Sequence, residues 1–400
     1  MRASQKRKPL KHPLLRIIDE VYPEAVTVRR ALHAHPELSG AEFKTARFIY
    51  TYLGRLGLKP RYYVDKTGVA ARIVNGRGKT VALRADTDAL PLQEKNNASF
   101  VSVTSGVMHA CGHDMHTACL LAALAVLVRM KNAWKGTVVA LFQPSEEKAP
   151  GGALRMIAEK AFPEHADAVI GLHVSIDHAA GEIGLKPGRD YSGVLDFFVT
   201  ITGSGGHGAA PHSTIDPIVC SCCIIMELQT LISRETPADE PSVVTVGSLH
   251  AGTKNNIIPD QAFFSGTIRT FSEKHQVLLR RRFIEIATSV ARSFNAAAKV
   301  TFEKSYPPGW NDAKLTKRAA CVMSGLLGKR SVVQRRNPTM YAEDFAYYQK
   351  KAPGLFVHLG VRSPGRKNAG IHSARFFPDE RALKTGISVH AGLALDILKV

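Results

Sequence analysis

Residues 108–128 read MHACGHDMHTACLLAALAVLV, and the reading of this stretch decides the fold. Its first half gathers Cys111, His113, Asp114 and His116; its second half is an apolar run of helical length with no polar face. A helix that is apolar all round belongs in a core between other layers. Short β-rich runs flank it, VALRAD at 81–86, GTVVALFQP at 136–144 and DAVIGLHV at 167–174, with helical patterns at 13–33 and 42–57 ahead of them. Strands alternating with helices predict an α/β domain on a mainly parallel sheet covered on both faces, where function collects just past the strand ends.

From about 189 the pattern changes. LDFFVTITG (195–203) reads as a strand, DPIVCSCCIIMELQTLISR (216–234) as a helix, SVVTVGSLHAG (242–252) and AFFSGTIRTF (262–271) as two strands, EKHQVLLRRRFIEIATSVARSFN (273–295) as a helix and AKVTFEKSY (298–306) as a strand. That βαββαβ order is the ferredoxin-like split unit. It is flanked by KPGRDYSG and YPPGWND, after which LFVHLGV (355–361) and a closing helix near 380–398 resume the first pattern. The expected organisation is a catalytic domain in two parts, 1–188 and 308–400, with an α+β domain inserted at 189–307.

The 400 residues are 45% hydrophobic and 22% charged, which suits a folded globular chain with a sizeable core. The formal net charge of +19 attracts polyanions in general. The basic residues are spread out, with short clusters at RASQKRKPLKH near the start, at 280–282 and at GKRSVVQRR near 330, and no RNA-binding or zinc-finger pattern accompanies them. Nucleic acid is therefore not the expected partner. Six cysteines without a disulfide-type spacing suit a reducing, cytoplasmic setting. No apolar run reaches the length of a membrane span, and no apolar segment follows the basic start.

Five groups able to bind metal stand at strand ends or loop openings: Cys111 and His113 in HACGHD, Glu147 in FQPSEE, His173 in GLHV and His372 in GIHS. Thiolate, imidazole and carboxylate together suit a first-row divalent ion, zinc foremost, with manganese, cobalt and nickel as alternatives. Taken singly, each has an ordinary reading as a core histidine or a solvated acidic step. Two other arrangements use only part of the set. A Cys111 nucleophile activated by His113 or His116 leaves Glu146, Glu147 and the two distant histidines without a duty, and a purely structural zinc site lacks the CxxC spacing.

Eleven stretches in order, LHAHPELSGAE, LRADTDALPL, MHACGHDMHTA, FQPSEE, GLHV, GGHGAAPH, DP, GTKNNIIPD, GTIRTF, EDFAYY and IHSARF, give the chain its resemblance to a known family. It resembles the metal-dependent amidohydrolases of the aminoacylase and carboxypeptidase type, the branch with N-acyl-amino-acid amidohydrolases, hippurate hydrolases and plant hydrolases of auxin conjugates. The resemblance implies a catalytic domain of zinc-peptidase type with a ferredoxin-like lid and dimerisation domain, a homodimer, and two divalent metal ions. Cys111 would bridge them and His113, Glu147, His173 and His372 complete the coordination. Glu146 would be the general base and acid for a metal-activated water that cleaves an N-acyl amino acid.

It further implies that His207 stabilises the oxyanion from a dimer partner, and that Asn256 and Arg269 contact the substrate. Asp88, Asp86 and Asp114 would orient ligands through hydrogen bonds. Departures from the family pattern are Lys148 beside the acid pair, in EEKAPGG, and Thr87 where methionine is common. Rival functions are a dipeptidase or carboxypeptidase on the same site, and a non-catalytic basic protein binding polyanions on this scaffold.

Overall fold

The structure, a computed structural model, describes residues 12–304, 306–365 and 368–399. The basic run at 2–11 lies outside them. The chain folds as two compact units: residues 1–188, 310–337 and 347–400 form the first, and residues 189–309 with 338–346 form the second.

The chain enters the first unit through helices α1 (Pro13–Ala34) and α2 (Phe43–Arg55) and strands β1 (Arg61–Tyr63), β2 (Gly68–Asn75) and β3 (Thr80–Asp86). A long loop leads to α3 (His113–Arg129), then β4 (Gly136–Gln143), α4 (Gly152–Ala158), β5 (Ala168–Ala179) and β6 (Ile183–Leu185). The second unit holds β7 (Gly193–Thr202), β8 (Gly206–His207), α5 (Pro217–Leu228), β9 (Ser242–Ala251), β10 (Ile257–Ile258), β11 (Gln261–Thr270), α6 (Glu273–Ser293) and β12 (Ala297–Lys304). The first unit is completed by α7 (Ala313–Leu327), β13 (Val332–Gln334), β14 (Gly354–Arg362) and α8 (Ala382–Ile397).

The first unit is built on an eight-stranded sheet in the order β1-β2-β4-β3-β5-β14-β6-β13. Its centre, β4-β3-β5-β14, is parallel as expected. The flanks are not: β2 runs antiparallel to β4, and β6 to β14. GVAARIVN in β2 breaks its apolar run with an exposed Arg72, which marks a strand with one solvated face rather than a buried parallel one. Helix α3 packs on this sheet and against α1 and α8, and every residue from His113 to Leu127 is buried.

The second unit carries an antiparallel sheet in the order β9-β11-β7-β12, the ferredoxin-like arrangement. Phe197, Val199 and Ile201 alternate into a core beneath α5 and α6, where Phe264, Leu279 and Phe283 join them. Asp216 caps α5 by accepting from Ile218 N–H (2.8 Å). Residues 338–346 are tied to this unit: Ser192 Oγ–H donates to Met340 O (2.8 Å) and Ser192 N–H to Tyr341 O (2.9 Å).

Candidate metal centre

The parallel centre of the sheet sets the site. Cys111 and His113 stand at the entrance to α3, separated by Gly112 at φ +84°. A Cβ on Gly112 would come within 2.7 Å of Val174 Cγ2, so only glycine lets this link lie against β5 beside His173. Glu146 and Glu147 follow β4 after Ser145, which takes φ +56°. His372, at φ +60°, is tied in from the far end of the chain by its N–H, which donates to Ala110 O (2.9 Å). Left-handed backbone at non-glycine residues is costly and gathers where side chains must be aimed.

All five expected ligands converge within the first unit. Cys111, His113 and His173 form one group and Cys111, Glu147 and His372 another, the potential ligand atoms of each lying within 4.8 Å of one another. Cys111 is common to both. Its Sγ is 3.3 Å from His173 Nε2, and Glu147 Oε1 is 3.2 Å from His372 Nε2 and 3.9 Å from His113 Nε2. Glu146 forms a similarly close group with His113 and Glu147 and is itself buried.

Hydrogen bonds fix which nitrogen each buried histidine presents. His113 Nδ1–H donates to Asp88, whose O and Oδ1 lie at 3.0 and 3.1 Å, and His173 Nδ1–H donates to Val174 O (2.8 Å). Both rings are left with Nε2 turned to the other candidate ligands, that of His113 to Glu147 and that of His173 to Cys111. Asp88 Oδ2 also accepts from Glu147 N–H (2.9 Å). Asp114 serves differently: its Oδ2 accepts from His33 Nδ1–H (2.8 Å) and pairs with Arg29 Nε at 2.8 Å, which ties the start of α3 to α1.

Asp86, His113 and His116 also lie close together, but there the polar atoms of Asp86 and His116 are already engaged. Asp86 Oδ2 accepts from Arg84 (2.7 Å) and Oδ1 from His116 Nδ1–H (2.5 Å), while His116 Nε2 accepts from Val174 N–H (2.9 Å). The chain Arg84–Asp86–His116 therefore ends on the peptide next to His173 and braces it. Sequence reading missed this role for Arg84 and His116. The available signal was the spacing of His116 three residues after His113, which puts both on one helix face.

Electrostatics separate the readings of Cys111. Burial pushes its thiol well above the usual range, and the carboxylates of Glu147 and Glu146 push the same way. A thiol held protonated is a poor nucleophile, which counts against the cysteine-hydrolase reading. Burial would lower His113, but Asp86, Asp88 and Glu147 outweigh it and raise the imidazole to about 10. The carboxylates around His113 favour positive charge at that position.

The residues present fit a divalent metal. Among the described residues, His113 Nε2 and Glu147 Oε1 are buried without a hydrogen-bond partner although they face one another, an arrangement that is costly in itself and natural around a cation. A thiol, three imidazole nitrogens and a carboxylate make the donor set expected for a borderline-soft ion.

The other three expected residues lie in the second unit. His207, exposed on β8, accepts at Nδ1 from Ala209 N–H (3.1 Å), and the carbonyl of Asn256 accepts from Gly208 N–H (2.9 Å), so these two sit together on the small β8-β10 ribbon. Arg269 on β11 is apart from them and donates to Met340 O (2.9 Å). Of the departures, Lys148 is exposed and Thr87 is buried, its hydroxyl donating to Gln143 O (3.1 Å).

Comparison with known proteins gives a consistent picture. Residues 82–396 match the model of peptidase family M20/M25/M40. The chain is 38% identical over 384 residues to an IAA-amino acid hydrolase of Arabidopsis thaliana, covering 95% of this chain and 86% of that protein. It is 39% identical over 361 residues to an N-acetyl-L-cysteine deacetylase of Bacillus subtilis (90% and 85% covered). It is also 36% identical over 384 residues to a thermostable carboxypeptidase of Saccharolobus solfataricus (94% and 96% covered). Among solved structures, a dinuclear metal-binding M20 peptidase from Bacillus subtilis superposes with a TM-score of 0.82 at 33% identity, covering 95% of this chain and 99% of that one.

Proposed function

The chain belongs to peptidase family M20/M25/M40, and from that premise we propose that this metal-dependent hydrolase cleaves the amide bond of N-acyl amino acids, releasing a carboxylate and a free amino acid. The observation that carries the reading is the position of Cys111 in two ligand groups at once, which suits one thiolate shared by two ions. Cys111, His113, Glu147, His173 and His372 would hold a pair of divalent cations, zinc, manganese, cobalt or nickel. Bound there, the ions supply the Lewis acidity that makes water nucleophilic near neutral pH.

The chain's own groups do the rest. Glu146, buried beside His113 and Glu147, takes the proton of the attacking water and returns it to the leaving amine. We assign the negative oxygen of the tetrahedral intermediate to His207 of the partner subunit, and the substrate carboxylate to Arg269, whose planar fork suits it, with Asn256 assisting. The names of the deacetylase and of the IAA-amino acid hydrolase support an acyl-amino-acid substrate.

A homodimer is part of this reading. Among the described residues β9 pairs on one side only, with β11, and Leu249 on β9 and Met226 on α5 are 42% and 71% exposed. An open strand edge with exposed apolar neighbours is a template for a second copy. Sedimentation velocity at micromolar concentration is expected to give a dimer; a monomer would remove this element. Cytoplasmic placement is supported by six free cysteines, Cys222, Cys223 and Cys321 among them exposed.

The substrate test is a panel on the metal-loaded protein: acetyl, benzoyl and indole-acetyl amino acids against unmodified dipeptides. The expected result is a kcat/KM at least about tenfold higher on one of the acylated amino acids, the scale that a few pocket contacts supply. Faster cleavage of the dipeptides would replace this reading with the dipeptidase or carboxypeptidase one, and no hydrolysis with salt-sensitive polyanion binding would replace both.

A further inference from the structure

The segment Pro36–Glu42, PELSGAE, has no part in the mechanism, yet it lies directly behind the acid pair. Glu42 precedes α2 and is fully buried. An acidic residue at the start of a helix ordinarily satisfies that helix's own first amides. Here Glu37 does so, accepting from Thr45 N–H (2.8 Å) and Lys44 N–H (3.2 Å), and Glu42 makes no such bond. Its Oε1 accepts instead from Ser145, far along the chain, from the N–H at 2.7 Å and more weakly from the hydroxyl at 3.4 Å. Its Oε2 has no hydrogen-bond partner among the described residues. Burying a carboxyl is expensive, and nearby backbone N–H groups of Glu42, Gly40 and Ser145 offset only part of the cost, since its acid is still pushed up.

Ser145 is the left-handed residue from which Glu146 and Glu147 are launched. Two peptide N–H groups flank Glu146, and each is held by a carboxyl from outside the turn: Ser145 N–H by Glu42 and Glu147 N–H by Asp88 Oδ2. Asp88 Oδ2 is held in turn by Ser39 Oγ–H (2.7 Å) in the same segment, and Ala89 N–H donates to Glu37 O (2.9 Å). We infer that Glu42 is a positioning residue that clamps the strained turn at Ser145 and so aims Glu146 and Glu147, with Ser39 steadying the second clamp through Asp88. The inference rests on the proposed function for the roles of the two acids, although the clamp itself is a matter of backbone geometry.

Burial and the neighbouring Asp88 carboxylate push the Glu42 acid up to about 7, so a neutral carboxamide with an acceptor in the same place is a close substitute. This separates clamping from simple core filling. Glu42→Leu fills the space and removes the acceptor; it should weaken zinc binding, read by competition with a chelating indicator, by at least about tenfold, the scale on which groups behind a ligand act. Glu42→Gln should hold zinc affinity within about threefold of wild type. Glycine tolerates φ +56° without strain, so adding Ser145→Gly to Glu42→Leu should recover about half or more of the loss on a logarithmic scale.

Wild-type zinc affinity in Glu42→Leu, or no recovery on adding Ser145→Gly, would overturn the inference and leave Glu42 as filling. Should Glu42→Leu not fold, Glu42→Gln still decides, because a loss of zinc affinity beyond about tenfold in that variant would show that charge and not the acceptor matters. A wild-type chain that binds none of zinc, manganese, cobalt or nickel would instead sink the proposed function, so the two failures are distinguishable.

Discussion

Glu146→Gln is expected to lower kcat by about 10³-fold while metal content stays that of the wild type. Glutamine keeps the shape of the side chain and its place beside His113 and Glu147 but cannot take a proton from water at neutral pH. Glu147, one residue on, provides the contrast. It sits in the group with Cys111 and His372, so Glu147→Gln should lose metal together with turnover. Kinetics combined with elemental analysis of the two variants separates the roles, and unchanged turnover in Glu146→Gln would remove that residue from proton transfer.

Cys111→Ser is expected to have the largest effect on metal binding, because Cys111 alone belongs to both ligand groups. Its loss should strip both ions rather than one. A second signature is pH dependence. Burial, Glu147 and Glu146 hold the Cys111 thiol protonated, and the carboxylates around His113 hold that imidazole protonated up to about 10. A cation has to displace these protons, so affinity rises with pH below those pKa values, by about tenfold per pH unit for each proton released. In Cys111→Ser the hydroxyl does not ionise in this range, and the slope should fall by one proton. An unchanged slope would show that the thiol is not a ligand.

The parts of this molecule most legible in the sequence are those where burial leaves no choice. The runs at β3, β4 and β5 are apolar because both faces of the sheet are covered, and α3 is apolar throughout because it lies between the sheet and α1 and α8. The βαββαβ order of the second unit was equally clear, and its first strand shows the two-residue alternation of a sheet with one solvated face. The antiparallel flank strands were obscure: β1 and β6 are three residues each, too short to show a period, and β2 is interrupted by charge.

Within the site, the residues that meet one another at Cys111 could be listed from their types and their places at strand ends. What supports them could not. Glu42 and Ser145 are 103 positions apart and are joined by two hydrogen bonds to one carboxyl oxygen, a contact with no periodic signature. Asp114 stands beside His113 in sequence and is grouped there with Asp86 and Asp88 as a residue expected to orient ligands. The first turn of α3 directs its carboxylate to Arg29 and His33 instead, because consecutive positions on a helix face different neighbours.

The account depends on a thiolate held in common by two cations. Its most direct test is a crystal of the zinc- or manganese-loaded protein measured above and below the metal absorption edge. The expected map has two anomalous peaks about 3.5 Å apart, with the sulfur of Cys111 in reach of both. A single peak, or a pair whose ligands leave out Cys111, would contradict it.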